Sequence, residues 1–403
     1  MRRVSLLGGF LCLLVSAVPA SAVLCTVDAV PAATLLLPYF EVDLDDPNGL
    51  TTLFSINNAS TTEEIAHVVV WSDLSVPVLD FDLDLTGYDV QTINLRDILI
   101  DGLLPSLAPS PVPGRPPTQA QLPPFYIDHL QKALTGHPSD LLGGLCAGRN
   151  LGDNVARGYI TVDVVNDFTL RLPDDPGYLT DDIAFDNVLW GDYFYVNAAQ
   201  SFADGDTLVH IEASLTDPAT TTPGRYTFYG RYASWNATDH REPLPTTFAG
   251  RFVTGGDFTG GTSLVVWRDS KTVQHAFTCP VTTGRPSWYP LGQEGIAIFD
   301  EMEQVSTPAT FPFSPQPPQQ GILPFPAEAQ RTKINGADFP VPFNFGWLYL
   351  DLNTTITGNP NPPFDPAAAQ GWVTVIMDAD GRFSVGFGAI QLDSACAPSH
   401  FVP

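Results

Sequence analysis

Basic residues are scarce in this chain: 18 Lys plus Arg stand against 44 Asp plus Glu, a formal net charge of −26. So acidic a surface repels phosphate backbones and anionic headgroups, which argues against nucleic-acid binding. It favours solubility and the attraction of cations instead. Long apolar runs are missing after the N-terminal segment, and no later stretch approaches the ~18 unbroken apolar residues of a transmembrane helix. No CxxC pair occurs, which disfavours a zinc ribbon or a thioredoxin-like site. HExxH, Gly-x-Ser-x-Gly and a Walker loop are absent too, and the seven histidines are scattered. A Ser-His-Asp site assembled from distant loops would leave no motif. The absences therefore weigh toward a non-catalytic role.

What is present begins with Met1-Arg2-Arg3, an apolar run from Leu6 to about Val18, and Ala20-Ser21-Ala22. A positive start, a short apolar core and an A-x-A site read as a secretory signal peptide over residues 1–22. The run is too short to span a bilayer. Leu24, not a small residue, precedes Cys25, so ordinary cleavage after Ala22 is expected rather than lipidation. Cleavage removes two arginines and no acid, leaving 16 basic against 44 acidic residues, net −28. The mature chain is expected to be secreted or periplasmic. Cys12 leaves with the signal. Cys25, Cys146, Cys279 and Cys396 remain, and in an oxidising compartment they should form two disulfides.

Helical periodicity is confined to Phe125–Leu134, where Ile127, Leu130 and Leu134 recur at three- and four-residue spacing. Strand signals dominate. In "LDFDLDL" the apolar residues Leu79, Phe81, Leu83 and Leu85 alternate with Asp80, Asp82 and Asp84, a half-buried strand with a solvated acidic face. Asp46-Pro47-Asn48-Gly49 suits a type I turn between strands. The spacing of an EF-hand fails there, since its fifth and twelfth positions would be Pro47 and Phe54. Thirty-eight prolines and thirty-three glycines punctuate the strands, and 44% apolar residues suffice for a sizeable core. The fold class expected is all-β, with little helix and long proline-rich loops at Pro105–Pro124 and Pro308–Pro326.

The two halves echo each other. "YFEVDLDDPNGLTTLFSINN" is faintly matched by "RFVTGGDFTGGTSLVVWRD", and "GYITVDV" by "GWLYLDL". Each half closes with a hairpin, one placed around Ala203-Asp204-Gly205 and the other around Asp378-Ala379-Asp380-Gly381. Features recurring in one order suggest a diverged duplication. That gives two tandem β-sandwich-like units, 23–240 and 241–403, joined through the polar "NATDHREPLPTTF". Independent duplicates would pair Cys25 with Cys146 and Cys279 with Cys396, each bridge within its own unit. The competing pattern, Cys25 with Cys396 and Cys146 with Cys279, would tie the termini together and staple the units to each other.

Four segments, "LLLPYFEVDL", "TTLFSINN", "LTGYDVQTINLRD" and "GYITVDVVN", together resemble a family of exported bacterial proteins known mainly as hypothetical sequences. The resemblance spans most of the mature chain and is most specific at "LTGYDVQTINLRD". It implies no established activity, ligand or catalytic residue.

Two sets of residues are candidates for binding. The loop "LPDDPGYLTDDIAFDN" gathers Asp174, Asp175, Asp181, Asp182 and Asp186, oxygen ligands of the kind calcium takes, against the plainer reading of a solvated loop. Tyr159, Trp347 and Tyr349 lie opposite the apolar alternation of their strands and could form a platform for sugar rings, unless a neighbouring unit covers them. The function expected is an exported, non-enzymatic β-sandwich protein with a structural or adhesive role toward a protein or glycan surface. The alternative is a secreted glycan-binding or glycan-hydrolysing protein.

Overall fold

The computed structural model describes residues 24–25, 27–105, 121–221, 227–228, 238–269, 275–279, 286, 289–291, 295–306, 324–341, 343–352 and 370–393. Alternating stretches form strands. The first half opens with β1 (Thr34–Asp43), β2 (Thr51–Asn58), β3 (Glu64–Ser72), β4 (Pro77–Leu85) and β5 (Val90–Asn94). Two helices follow, α1 (Leu95–Leu99) and α2 (Pro124–Leu134); Pro124 starts the latter where a missing N–H costs nothing. Then come β6 (Val155–Val165), β7 (Leu189–Trp190), β8 (Asp192–Asn197), β9 (Phe202–Thr207) and β10 (Val209–Ile211). The second half contains β11 (Thr247–Val253), β12 (Gly261–Arg268), β13 (Gly295–Asp300), β14 (Val305–Ser306) and β15 (Ala329–Lys333). It ends with β16 (Phe345–Asp351), β17 (Gly371–Asp378), β18 (Ser384–Gly388) and β19 (Ile390–Gln391). Among the described residues strand makes up 45% and helix 11%, so the fold is all-β.

Each half is a pair of antiparallel sheets, and the pairs have the same strand order. The first half has β10-β1-β6-β3-β4 and β5-β2-β8-β9. The second has β19-β11-β16-β13-β14 and β15-β12-β17-β18. Reading β11 for β1, β12 for β2 and onward, with β17 for β8, turns one pair into the other. Local chemistry agrees. Phe40 lies opposite Gly158, where any Cβ would collide with the Trp71 carbonyl and the Phe40 ring. Phe252 lies opposite Gly346, where it would collide with the Phe299 carbonyl and the Phe252 ring. Thr52 and Thr262 each bridge to the neighbouring strand, Thr52 Oγ1 with the N–H and C=O of Glu41, Thr262 Oγ1 with those of Val253.

The halves stack sheet on sheet. Along β12, Leu264 and Val266 enter the second half's own core, with Phe248, Val373 and Leu350. Val265 and Trp267 point the other way and join Tyr159, Trp71 and Leu36 of the first half in one continuous core. At its centre Tyr159 stacks on Trp71 and meets Trp267 edge to face. No ladder between the named strands crosses from one half to the other. Among the described residues the join is made by side chains, by the isolated bridges Cys146–Phe277 and Ala213–Arg241, by backbone hydrogen bonds such as Ala329 N–H to the Asp73 carbonyl, and by a disulfide.

That disulfide corrects an expectation. Cys146 pairs with Cys279, across the halves and not within them, with Cα atoms 5.5 Å apart. Cys146 also exchanges both backbone hydrogen bonds with Phe277, which brings the second half's loop against the first. Cys25 is disulfide-bonded as well, and Cys396 lies outside the described residues. The cause is the shared core: units that pack face to face are not independent, so a staple between them adds to the same structure.

Three further expectations change. The stretch read as a polar linker is buried where it is described: Asp239, Arg241, Glu242 and Leu244 have almost no exposed surface. The first hairpin turns at residues 198–201, because Phe202–Thr207 pairs with β8 through Ala203, Asp204 and Gly205. The acidic row of β4 is not a solvated face: Asp84 is buried, and Asp82 bonds His67 Nδ1 at 2.6 Å and the Thr169 N–H at 2.9 Å. The loop after β6 covers it. The proline-rich loops fall almost entirely outside the described residues.

Candidate functional site

The aromatic candidates separate. Tyr159 is fully buried, its hydroxyl donating to Ser75 Oγ at 2.7 Å, so it is no platform for a sugar. The second half covers it, which is the reason the expectation fails. Trp347, at the position of β16 equivalent to Tyr159, and Tyr349 two residues on stay half-exposed on the outer face of their sheet. The register aligns Arg251, Trp347 and Phe299 across three strands. The Arg251 guanidinium lies 4.4 Å from the Trp347 ring centroid, and Phe299 meets Tyr349 edge to face at 5.4 Å. This strip offers flat apolar surface with a cation stacked on it.

The acidic loop is tied to itself. Arg171 Nη1 lies 2.9 Å from Asp182 Oδ1 and 3.6 Å from Asp181 Oδ2, and Thr169 Oγ1 donates to Asp182 Oδ2. Asp175 accepts the Leu172 N–H and closes a turn. Asp186 stands apart, its pKa raised by burial and by Glu64. Asp174 belongs to the same loop and is half-buried. Among the described residues, no three His, Cys, Asp or Glu side chains converge as a metal site.

Beneath the surface, Arg241 is buried between two carboxylates, 3.2 Å from Asp163 Oδ1 and 3.0 Å from Asp239 Oδ1. Tyr178 and Thr34 hydroxyls donate to the same Asp163. Burial works against the guanidinium's charge, but the two aspartates outweigh it and raise its pKa. Every group is satisfied, so this cluster holds structure.

A third region was not singled out in the sequence. Where the halves meet beyond the aromatic core, a cleft of about 720 Å³ opens between β1 and β6 on one side and β12 and β15 on the other. Glu41 stands in its wall. One carboxylate oxygen accepts from the Tyr39 hydroxyl at 3.0 Å and Arg157 Nε at 3.4 Å, the other from Arg331 Nη1 at 3.4 Å. Arg157 also grips Asp153 with both terminal nitrogens, at 2.7 and 2.6 Å. Burial, then the Glu41 charge, push the Tyr39 phenol well above its ordinary pKa. Arg149 is held from behind by the buried Asp73, through Nε at 2.5 Å and through its backbone N–H. The only legible signal had been the rarity of cations: four of the chain's 18 basic residues, Arg149, Arg157, Arg331 and Lys333, border this one cleft.

No family model, no curated protein and no solved structure matches this chain. Among the described residues, no helix is long and apolar enough to cross a membrane.

Proposed function

We propose that the protein is an exported, non-enzymatic module with a structural or adhesive role at or outside the cell surface. The observation that carries this reading is the half-exposed strip of Arg251, Trp347, Phe299 and Tyr349 on the outer face of a rigid double sandwich. The Cys146–Cys279 disulfide and the signal-peptide-like N-terminus support export. We also read the matching strand orders, with the twin Phe–Gly contacts, as a diverged tandem duplication. In it one copy of the outer face became the internal interface around Tyr159, and the other stayed open at Trp347.

The second reading, glycan binding, rests on the same strip, because Trp and Tyr faces beside an arginine suit sugar rings. A hydrolytic version finds less support, since Glu41 in the cleft is already engaged by two arginines and a tyrosine. A glycan array and a cell-envelope binding assay with the mature protein and Trp347→Ala test both. Loss of envelope binding in the variant, with a blank array, supports adhesion to protein; array signals lost in the variant support glycan recognition. Retention of all binding by Trp347→Ala overturns both.

A further inference from the structure

The cleft between the halves carries its own assignment, independent of the outer strip. Its volume, about 720 Å³, lies in the range of pockets that enclose small ligands. Its inner part is rich in hydrogen-bond donors yet close to neutral. Arg149 is balanced by Asp73, while Glu41 and Asp153 together balance Arg157 and Arg331. Arg157 is fully engaged. Arg149 is different: Asp73 takes Nε, and neither Nη group has a hydrogen-bond partner among the described residues. Arg331 makes one contact of 3.4 Å to Glu41 and otherwise lies over the Phe202 ring. Two guanidinium groups, 13% and 22% exposed, thus keep unused donors at one cleft. A planar fork of this kind matches a carboxylate bidentately.

The mouth has the opposite character. Asp338 and Asp380 are exposed, Asp378 is half-buried, and Lys333 is the one cation among them. Strand register orders these groups. Arg331 pairs with Val265, Lys333 with Ser263, and Asp378 with Gly261. Each step of two residues advances about 7 Å, so Lys333 lies roughly 7 Å and Asp378 roughly 13 Å along the sheet from Arg331. The three acids exceed the single lysine, which repels a dianion such as phosphate and draws a cationic group.

We propose that this cleft binds a small dipolar ligand, an ω-amino carboxylate, with its carboxylate on Arg149 and Arg331 and its ammonium at Asp378 and Asp380. A lysine-like chain has the length to reach from one end to the other. Neither a simple anion nor a simple amine satisfies both ends, and leaving either end unmatched forfeits its charge-assisted hydrogen bonds.

Isothermal titration of the full chain, disulfide intact, with 6-aminohexanoate, hexanoate and hexylamine tests this. Saturable binding of 6-aminohexanoate is expected, with the other two weaker by at least about tenfold, about 1.4 kcal/mol. Arg149→Lys retains a cation for Asp73, so the fold is kept while the fork is lost; it should weaken 6-aminohexanoate by about tenfold. Asp380→Asn, at an exposed position, should weaken 6-aminohexanoate and leave hexanoate unchanged. Absence of saturable 6-aminohexanoate binding overturns the proposal, as does hexanoate binding equally well. Indifference of binding to both substitutions overturns it too.

Discussion

The ring of Tyr159 on β6 meets the ring of Trp267 on β12 edge to face, with centroids 5.9 Å apart, and both side chains are fully buried. The pair joins the halves through one continuous core. Trp267→Ala should therefore cost about 3–5 kcal/mol and lower the midpoint of a single cooperative transition in chemical denaturation. Tyr159→Phe removes the bond to Ser75 and should cost about 1 kcal/mol. Two resolved transitions, with Trp267→Ala shifting only one, would contradict the shared core.

The Cys146–Cys279 bridge closes a loop with a sequence separation of 133. Chain entropy assigns it about 5 kcal/mol, before any native strain is subtracted. Non-reducing peptide mapping should recover the Cys146–Cys279 peptide. The double serine variant should unfold at markedly lower denaturant; an unchanged midpoint would show that the bridge does not constrain the unfolded chain.

The twin glycines supply a matched pair of tests. Gly158→Ala and Gly346→Ala each force a methyl against a backbone carbonyl and a phenylalanine ring. Each should cost about 1–3 kcal/mol, as overpacking does. Thermal melts of both variants check this, and a neutral result at one site alone would break the equivalence of the two halves there.

Glu242 is fully buried and accepts hydrogen bonds from the N–H groups of Cys25, at 2.6 Å, and Glu212, at 3.2 Å. Burial dominates, with Glu212 and Asp28 adding to it, and these outweigh the two N–H donors, so its pKa rises from 4.5 to about 8. A carboxyl whose folded pKa is raised binds more protons folded than unfolded, so its contribution is complete below about 4.5 and declines as pH rises to about 8. Denaturation midpoints across that window should fall less in Glu242→Gln than in the parent protein. A parallel fall in both would remove Glu242 as the cause.

Much of the architecture was written in local pattern. Period-two alternation marked Leu79–Leu85, which lies within β4, and Gly158–Val164, which lies within β6. The three- and four-residue spacing marked α2, and the Asp46 carbonyl accepts the Gly49 N–H in the turn its residues suggested. These follow from neighbours in the chain, because backbone geometry alone decides which side chains share a face. The echo of "GYITVDV" in "GWLYLDL" likewise marked strands that hold the same place in their sheets. What covers each face was not local. Tyr159 and Trp347 occupy equivalent positions with similar neighbours, yet one is sealed against Trp267 and the other faces outward. Asp82 and Asp84 alternate as a solvated row would, and a loop from beyond β6 lies over them. The cleft is built from Arg149, Glu41 and Arg331, residues up to 290 positions apart, and the Cys146–Cys279 pairing likewise depends on which sheets stack. Sequence determined the strands and their sidedness, and tertiary packing alone decided which sides meet, because burial depends on surfaces that distant segments bring together.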